Sequence, residues 1–387
     1  MESTIDRLPS KERLSGIELL KILAVVLIIV SHVVQTLSSW RGNVIGYSDY
    51  YINVRTPSSD PVRVILTLLR YAGSLGNYIF LCCSFWFLVD KNTTNTKKIL
   101  RIVLDVFTIS VLWLCGMLIG YGPDKLSSQD IIKSLLPLSH ANNWFITMYV
   151  IFVFISPLLN IIINHIDQKH HLAIALVSFV CIFVVGYFHH FTIANNFTGW
   201  ITAYFVIAYF KRYGQKVCNS ALANILILTL TSISFIGFIL IMNAYGLKNP
   251  SANVDLLKWN KNYGMFDLLI AFSLLNLFNK MNFKNKFINY ISSLSLLVYL
   301  IHENLLFRTY VRPYLWQLIY KTFGYTYILG WAAIYVVALF IAAVAVSIIY
   351  KESLCRLVHL VSDLIYKGLS KIFNSLVKPK DNTNVSN

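Results

Sequence analysis

Hydrophobic positions run along this chain in long blocks, separated by short polar segments. Runs long enough to cross a bilayer as helices occupy about 17–37, 65–89, 99–119, 143–163, 172–190, 197–210, 221–243, 263–278, 288–307 and 327–350. The sixth and eighth are short. The pattern predicts an all-α polytopic membrane protein of about ten transmembrane helices. Residues 1–350 would form one membrane domain and 351–387 a basic tail, an amphipathic surface helix with a disordered polar end, DNTNVSN. The first run is long and lacks a small-residue cleavage site after it, so it reads as a retained span.

Composition sharpens this picture. The 387 residues are 57% hydrophobic and 13% charged, with mean hydropathy +0.62; soluble domains carry about 25% charged residues. The net charge of +16 does not indicate nucleic acid, because the basic residues sit in short clusters between apolar runs. They set orientation instead. With the N-terminus inside, the inner segments hold 20 Lys and Arg and the outer ones 11. Both termini are therefore expected in the cytoplasm. Long outer loops at 38–61, 120–142, 244–262 and 308–326 are rich in Tyr, Asn and Ser and suit a wet, sugar-facing surface.

Several chemistries have no motif here: H-E-x-x-H, the P-loop and G-x-G-x-x-G are absent. Cys82, Cys83, Cys115, Cys181, Cys218 and Cys355 show no paired metal-ligand spacing and are expected to be small buried residues. His165, His170 and His171 read as a short solvated loop. No metal is expected.

The first span, IELLKILAVVLIIVSHV, carries Glu18, Lys21 and His32. Lys21 and His32 are 11 residues apart, which on an α-helix is 20° from three full turns and roughly 16 Å of rise. Glu18, three residues before Lys21, shares that face. On residues alone, Glu18 and Lys21 suit a snorkelling pair and His32 an interhelical hydrogen bond. The same stripe also suits chemistry. A neutral imidazole at depth can take a proton from a hydroxyl, and a cation three turns away can hold a carrier's phosphate at the span of a pantetheine arm.

The stretch RLSGIELLKILAVVLIIVSHV resembles the opening of the membrane-bound acyltransferase 3 family, integral-membrane O-acyltransferases of surface glycans. That opening has an acidic residue, a basic residue three later, ten residues and a His: here Glu18, Lys21 and His32. Arg is usual where Lys21 stands; Lys keeps the charge and loses the bidentate fork. YIFLCCSFWFLVDKN is similar to the family's second span, with Phe85 where Gly is common. NTKKILRIVLDVF supplies Lys97, Lys98 and Arg101 at the entry to the third span. NNWFITMYVIFVFISPLLN, with Trp144 and Tyr149, and SSLSLLVYLIHENLL, with Tyr299, His302 and Glu303, resemble later family spans.

The resemblance implies acetyl-CoA as donor, bound from the cytoplasm, and a sugar hydroxyl of a cell-surface polysaccharide or its lipid-linked precursor as acceptor. It implies His32 as general base, with Glu18, Tyr299 and His302 beside it in the catalytic set. Lys21, Lys97, Lys98 and Arg101 would hold donor phosphates. Trp144, Tyr149 and Glu303 would contact substrate. The expected location is a bacterial cytoplasmic membrane. Expected partners are the donor, the glycan acceptor and the bilayer, with further copies or glycan-assembly proteins as additional candidates and no nucleic acid. A transporter, flippase or glycan polymerase shares the span count and isolated charges, and a late-span acyltransferase chemistry centred on His302 is a further alternative.

Overall fold

Helix α1 (Ser15–Thr36) lies at the centre of the molecule. Its apolar faces, including Leu20, Ala24, Ile28, Ile29 and Val33, are buried among neighbouring helices. Helix α2 (Asp60–Leu88) packs along it, and two glycines allow that approach. A Cβ at Gly76 would stand 2.6 Å from the backbone oxygen of Ala24, and one at Gly73 would meet Ser31. In lipid there is no hydrophobic drive between helices, so such close backbone contact supplies much of the association energy. Ser31 adds a hydrogen bond, donating from Oγ to the Arg70 carbonyl at 2.6 Å.

The computed structural model describes residues 15–36, 39–40, 44–45, 60–139, 143–189, 191–249, 251, 254, 256–323 and 327–377. Most of the predicted outer loop 38–61 and the polar end DNTNVSN lie outside these. After α2 come α3 (Thr96–Gly120), α4 (Ser128–Leu135) and α5 (Trp144–His165). Helix α6 (Gln168–Ser178) continues through a π-helical stretch, Phe179–Val185, into Gly186–Phe188. Then follow α7 (Asn196–Tyr213), α8 (Ala221–Lys248) and α9 (Met265–Asn279). The last group is α10 (Lys286–Ser293), α11 (Ser295–His302), α12 (Arg312–Phe323), α13 (Ile328–Ser353) and α14 (Cys355–Val377). The described residues are almost wholly helical; a two-residue antiparallel pairing, Ser39–Trp40 with Val44–Ile45, is the only strand among them.

Among the described residues, seven helices are long and apolar enough to cross a membrane: α1, α2, α3, α5, α6 with its continuation, α8 and α13. Starts follow side-chain chemistry. Asn95 caps α3, Asp167 caps α6, and Asn195 with Thr198 forms a capping box at α7. Helix α8 exposes Leu222, Ile225, Leu226, Leu230, Ile233 and Ile241, an outward apolar face that suits lipid. The chain is a multi-pass, all-α membrane protein.

The ninth predicted span, 288–307, is two short helices that meet at Leu294. Non-helical backbone at membrane depth persists only where protein covers it. That holds here: seven of the eight residues of α11 are buried, Leu296 excepted. The predicted histidine loop also differs. His171 lies inside α6, fully buried, with Nε2 3.0 Å from the Phe205 carbonyl and its ring walled by Phe205, Tyr209 and Tyr213.

Candidate active site

At the far end of α1, His32 meets the end of α11. His32 Nδ1 lies 2.9 Å from Glu303 Oε2 and 3.2 Å from His302 Nε2. The two imidazole rings are tilted, with centroids 5.4 Å apart. His302 Nδ1 is 2.7 Å from the Val298 carbonyl, an acceptor only, so Nδ1 carries that ring's hydrogen. His302 Nε2 therefore accepts. A hydrogen on His32 Nδ1 then serves both Glu303 and His302, and the basic nitrogen of His32 is Nε2.

Glu303 is held from its other sides. Arg308 Nη1 donates to Oε1 at 2.9 Å, and Arg312 Nη1 to Oε2 at 3.0 Å. Arg312 also reaches the His302 carbonyl at 3.4 Å. Two guanidiniums face the buried carboxylate, and the carboxylate in turn fixes the His32 tautomer. Neither arginine was among the residues singled out from the sequence. They lie in the predicted outer loop 308–326, but that stretch opens as a π-helix, Phe307–Val311, and brings both guanidiniums onto Glu303. The readable signal was two arginines within ten residues of a Glu that ends an apolar run.

Tyr299 stands edge-on to the His302 ring at 5.9 Å and packs against Phe145 at 6.0 Å. From there aromatic rings continue. Phe145 meets Trp200 at 5.2 Å, Trp200 meets Phe152 at 6.0 Å, and Phe152 stacks on Phe85 at 4.6 Å. Trp144 joins this cluster against Phe145 and Trp200.

At the end where α1 begins there is a partly enclosed cavity of about 200 Å³. Lys21, Lys91 and Lys98 line it, with Thr93, Thr94, Asn95 and Tyr149. Asn160 shapes its rim by donating from Nδ2 to the Leu88 and Lys91 carbonyls, while Tyr204 donates to Asn160 Oδ1 at 2.7 Å. Three ammonium groups, hydroxyls and an amide around one concavity make an anion-accepting site. Lys91 was not among the predicted donor-binding residues.

Glu18 and Lys21 form a pair at 3.2 Å, and Ser292 of α10 donates to the other Glu18 oxygen. Glu18 thus aims Lys21 and ties α1 to α10; it lies about 21 Å of helical rise from His32. The remaining predicted cations go elsewhere. Lys97 Nζ is 2.9 Å from Asp363 Oδ2, and Arg101 Nη2 is 3.0 Å from Asp363 Oδ1. Hydrogen bonds from Lys97 and Arg101 hold the Asp363 carboxyl below its usual range. The structure therefore separates the predicted residues. His32, His302, Glu303 and Tyr299 meet at one end of α1; Lys21, Lys98 and Tyr149 line the cavity at the other; Lys97 and Arg101 face α14.

A family model described as an acyltransferase domain, that of acyltransferase 3, matches residues 14–350. No curated protein and no solved structure matches. The matched residues include the α1 stripe, the cavity and the His32–Glu303 pair, and cover most of the chain: it belongs to the acyltransferase 3 family and is a membrane acyltransferase.

Proposed function

We propose that this protein transfers an acetyl group from acetyl-CoA, bound from the cytoplasm, to a sugar hydroxyl of a cell-surface polysaccharide or its lipid-linked precursor, in a bacterial cytoplasmic membrane. The observation that carries this reading is the single helix that links a cation-lined cavity to a carboxylate-held histidine. Lys21 and Lys98, with Lys91, receive the donor's phosphates, and the pantetheine arm runs along α1. His32 Nε2 takes the proton of the acceptor hydroxyl as its oxygen attacks the thioester carbonyl. The new C–O bond forms, the C–S bond breaks, and the departing CoA thiolate takes up the proton. Glu303 stabilises the imidazolium formed in between, as an oriented carboxylate does in other base–carboxylate pairs. His302 and Tyr299 orient the His32 ring, and Trp144 supports the aromatic wall on which they rest.

The test uses purified protein in nanodiscs with radiolabelled acetyl-CoA and the host's surface glycan as acceptor. CoA release and label transfer that vanish in His32→Ala support the reading. Wild-type and His32→Ala proteins that transfer equally would overturn the mechanism. Folded protein that neither binds nor turns over acetyl-CoA would overturn the donor assignment.

A further inference from the structure

A second cluster of titratable groups stands apart from the acyl-transfer site, where α14 crosses α3. Cys355 and His359 are four residues apart, on one face of α14. Asp105 projects toward them from α3 and is buried. Cys355 Sγ lies 3.4 Å from His359 Nε2, and that same nitrogen lies 3.3 Å from Asp105 Oδ2. All three donor atoms fall within 4.8 Å of one another.

The direction of these contacts decides between two chemistries. A Cys–His–Asp catalytic relay needs the two ring nitrogens to face different partners, thiol on one side and carboxylate on the other. Here both face Nε2, while Nδ1 is the more distant nitrogen from the sulfur, at 3.9 Å. Three donors that converge on one point instead of forming a chain match a coordination shell. With Zn–N near 2.0 Å and Zn–S near 2.3 Å, a tetrahedral ion separates its ligands by roughly 3.3–3.6 Å. Two of the three edges already have that length.

The surroundings fit as well. Tyr350 donates to Asp105 Oδ1 at 2.8 Å, which leaves Oδ2 directed at His359 and supplies the outer-shell hydrogen bond that ligating carboxylates commonly have. Arg101 and Lys351 are the nearby cations, with Glu352 close to Cys355. Arg101 shares the Asp363 carboxylate with Lys97, so its charge is only partly offset. A thiolate, a carboxylate and a divalent ion sum to zero, which suits a partly buried place. Cys355 and His359 lie beyond residues 14–350, so two of the three donors fall outside the family match.

We propose that Asp105, Cys355 and His359 bind a divalent transition-metal ion of the zinc type, with water as fourth ligand, and that the ion fastens α14 to α3. This site is independent of the acyl-transfer reading. The set also departs from the sequence expectation of no metal: Cys355 and His359 alone are half a site, and Asp105 is some 250 residues away in the chain.

The test uses the full-length purified protein in detergent, stripped with chelator and titrated with Co2+. A cobalt–thiolate charge-transfer band saturating at about one ion per chain is expected. Cys355→Ser should lose the band, and Tyr350→Phe should weaken binding roughly tenfold. In parallel, Zn2+ should raise the midpoint of thermal unfolding for wild type and not for His359→Ala. The readouts need no enzymatic activity. A monodisperse wild type that shows no band and no zinc-dependent shift overturns the proposal. So does a band that persists unchanged in Cys355→Ser.

Discussion

His32 Nδ1 lies 2.9 Å from Glu303 Oε2, joining the first span to the end of a late, broken one. Glu303→Gln keeps the shape and removes the charge that holds the imidazole and stabilises its protonated form. The expected loss in kcat is about 10²–10⁴-fold, the range for a general base and its orienting carboxylate. CoA release by purified variant protein checks this. Activity within about twofold of wild type would remove Glu303 from the mechanism.

The two arginines on Glu303 should differ in their effect on folding. The Arg312 side chain is 6% exposed and that of Arg308 29%. Truncating a buried ion-pair partner costs about 3–5 kcal/mol because the other charge is left uncompensated, whereas an exposed pair is worth far less. Arg312→Ala should therefore lower the unfolding midpoint more than Arg308→Ala in a thermal scan in detergent. The reverse order would show that the solvent-facing arginine carries the clamp.

The separation of the cations predicts a split in kinetics. Lys21→Ala and Lys98→Ala should raise KM for acetyl-CoA more than they lower kcat, and Lys21→Arg should be tolerated. Lys97→Ala and Arg101→Ala should change KM less, since both side chains are engaged by Asp363. Steady-state kinetics on the four alanine variants and Lys21→Arg distinguishes this from a donor site made of all four cations.

The Asp363 contacts also set a pH dependence. The folded-state carboxyl sits below its usual value, so its contribution is complete above the ordinary carboxylate range. It is lost as pH falls through the lowered value. Protease accessibility of α14 should rise at acid pH in wild type and already be raised at neutral pH in Asp363→Asn. High salt should act in the same direction, because the pair is partly open to solvent.

Close packing of α1 on α2 is the last target. Gly76→Ala places a methyl against the Ala24 backbone oxygen, which cannot step aside as a side chain would. The expected cost is about 1–3 kcal/mol, read as a lower unfolding midpoint. Gly116→Ala, whose added Cβ would meet nothing within 4 Å, is the control.

Much of this was legible in the sequence, and the limits have physical causes. The stripe Glu18–Lys21–His32 follows from helical periodicity alone, because all three residues lie on one unbroken element. Tyr299, His302 and Glu303 stood out as polar groups in an apolar run. That His32 and Glu303 touch could not be read, since they are some 270 residues apart and no local pattern encodes their pairing. The break at Leu294 and the π-helical stretch Phe307–Val311 were hidden for a related reason. Hydropathy reports whether a segment is buried, not whether its backbone is continuous. That Lys97 and Arg101 contact Asp363 could not be read either, because a basic cluster has the same spacing whether it faces a phosphate or an aspartate on a tail helix.

The broken segment that spans α10 and α11 touches α1 twice, through Ser292 at Glu18 and through His302 and Glu303 at His32. Helix α1, unbroken and pinned at two points to one neighbour, is a gauge of fixed length. The separation between Lys21 and His32 is thus built into the helical frame and not into loops that could drift. One residue inserted between Lys21 and His32 would swing the imidazole by about 100° and leave only one pin engaged at a time. On the proposed mechanism, tolerance of different acyl groups would come from the space beside His32, because the measure along α1 does not stretch.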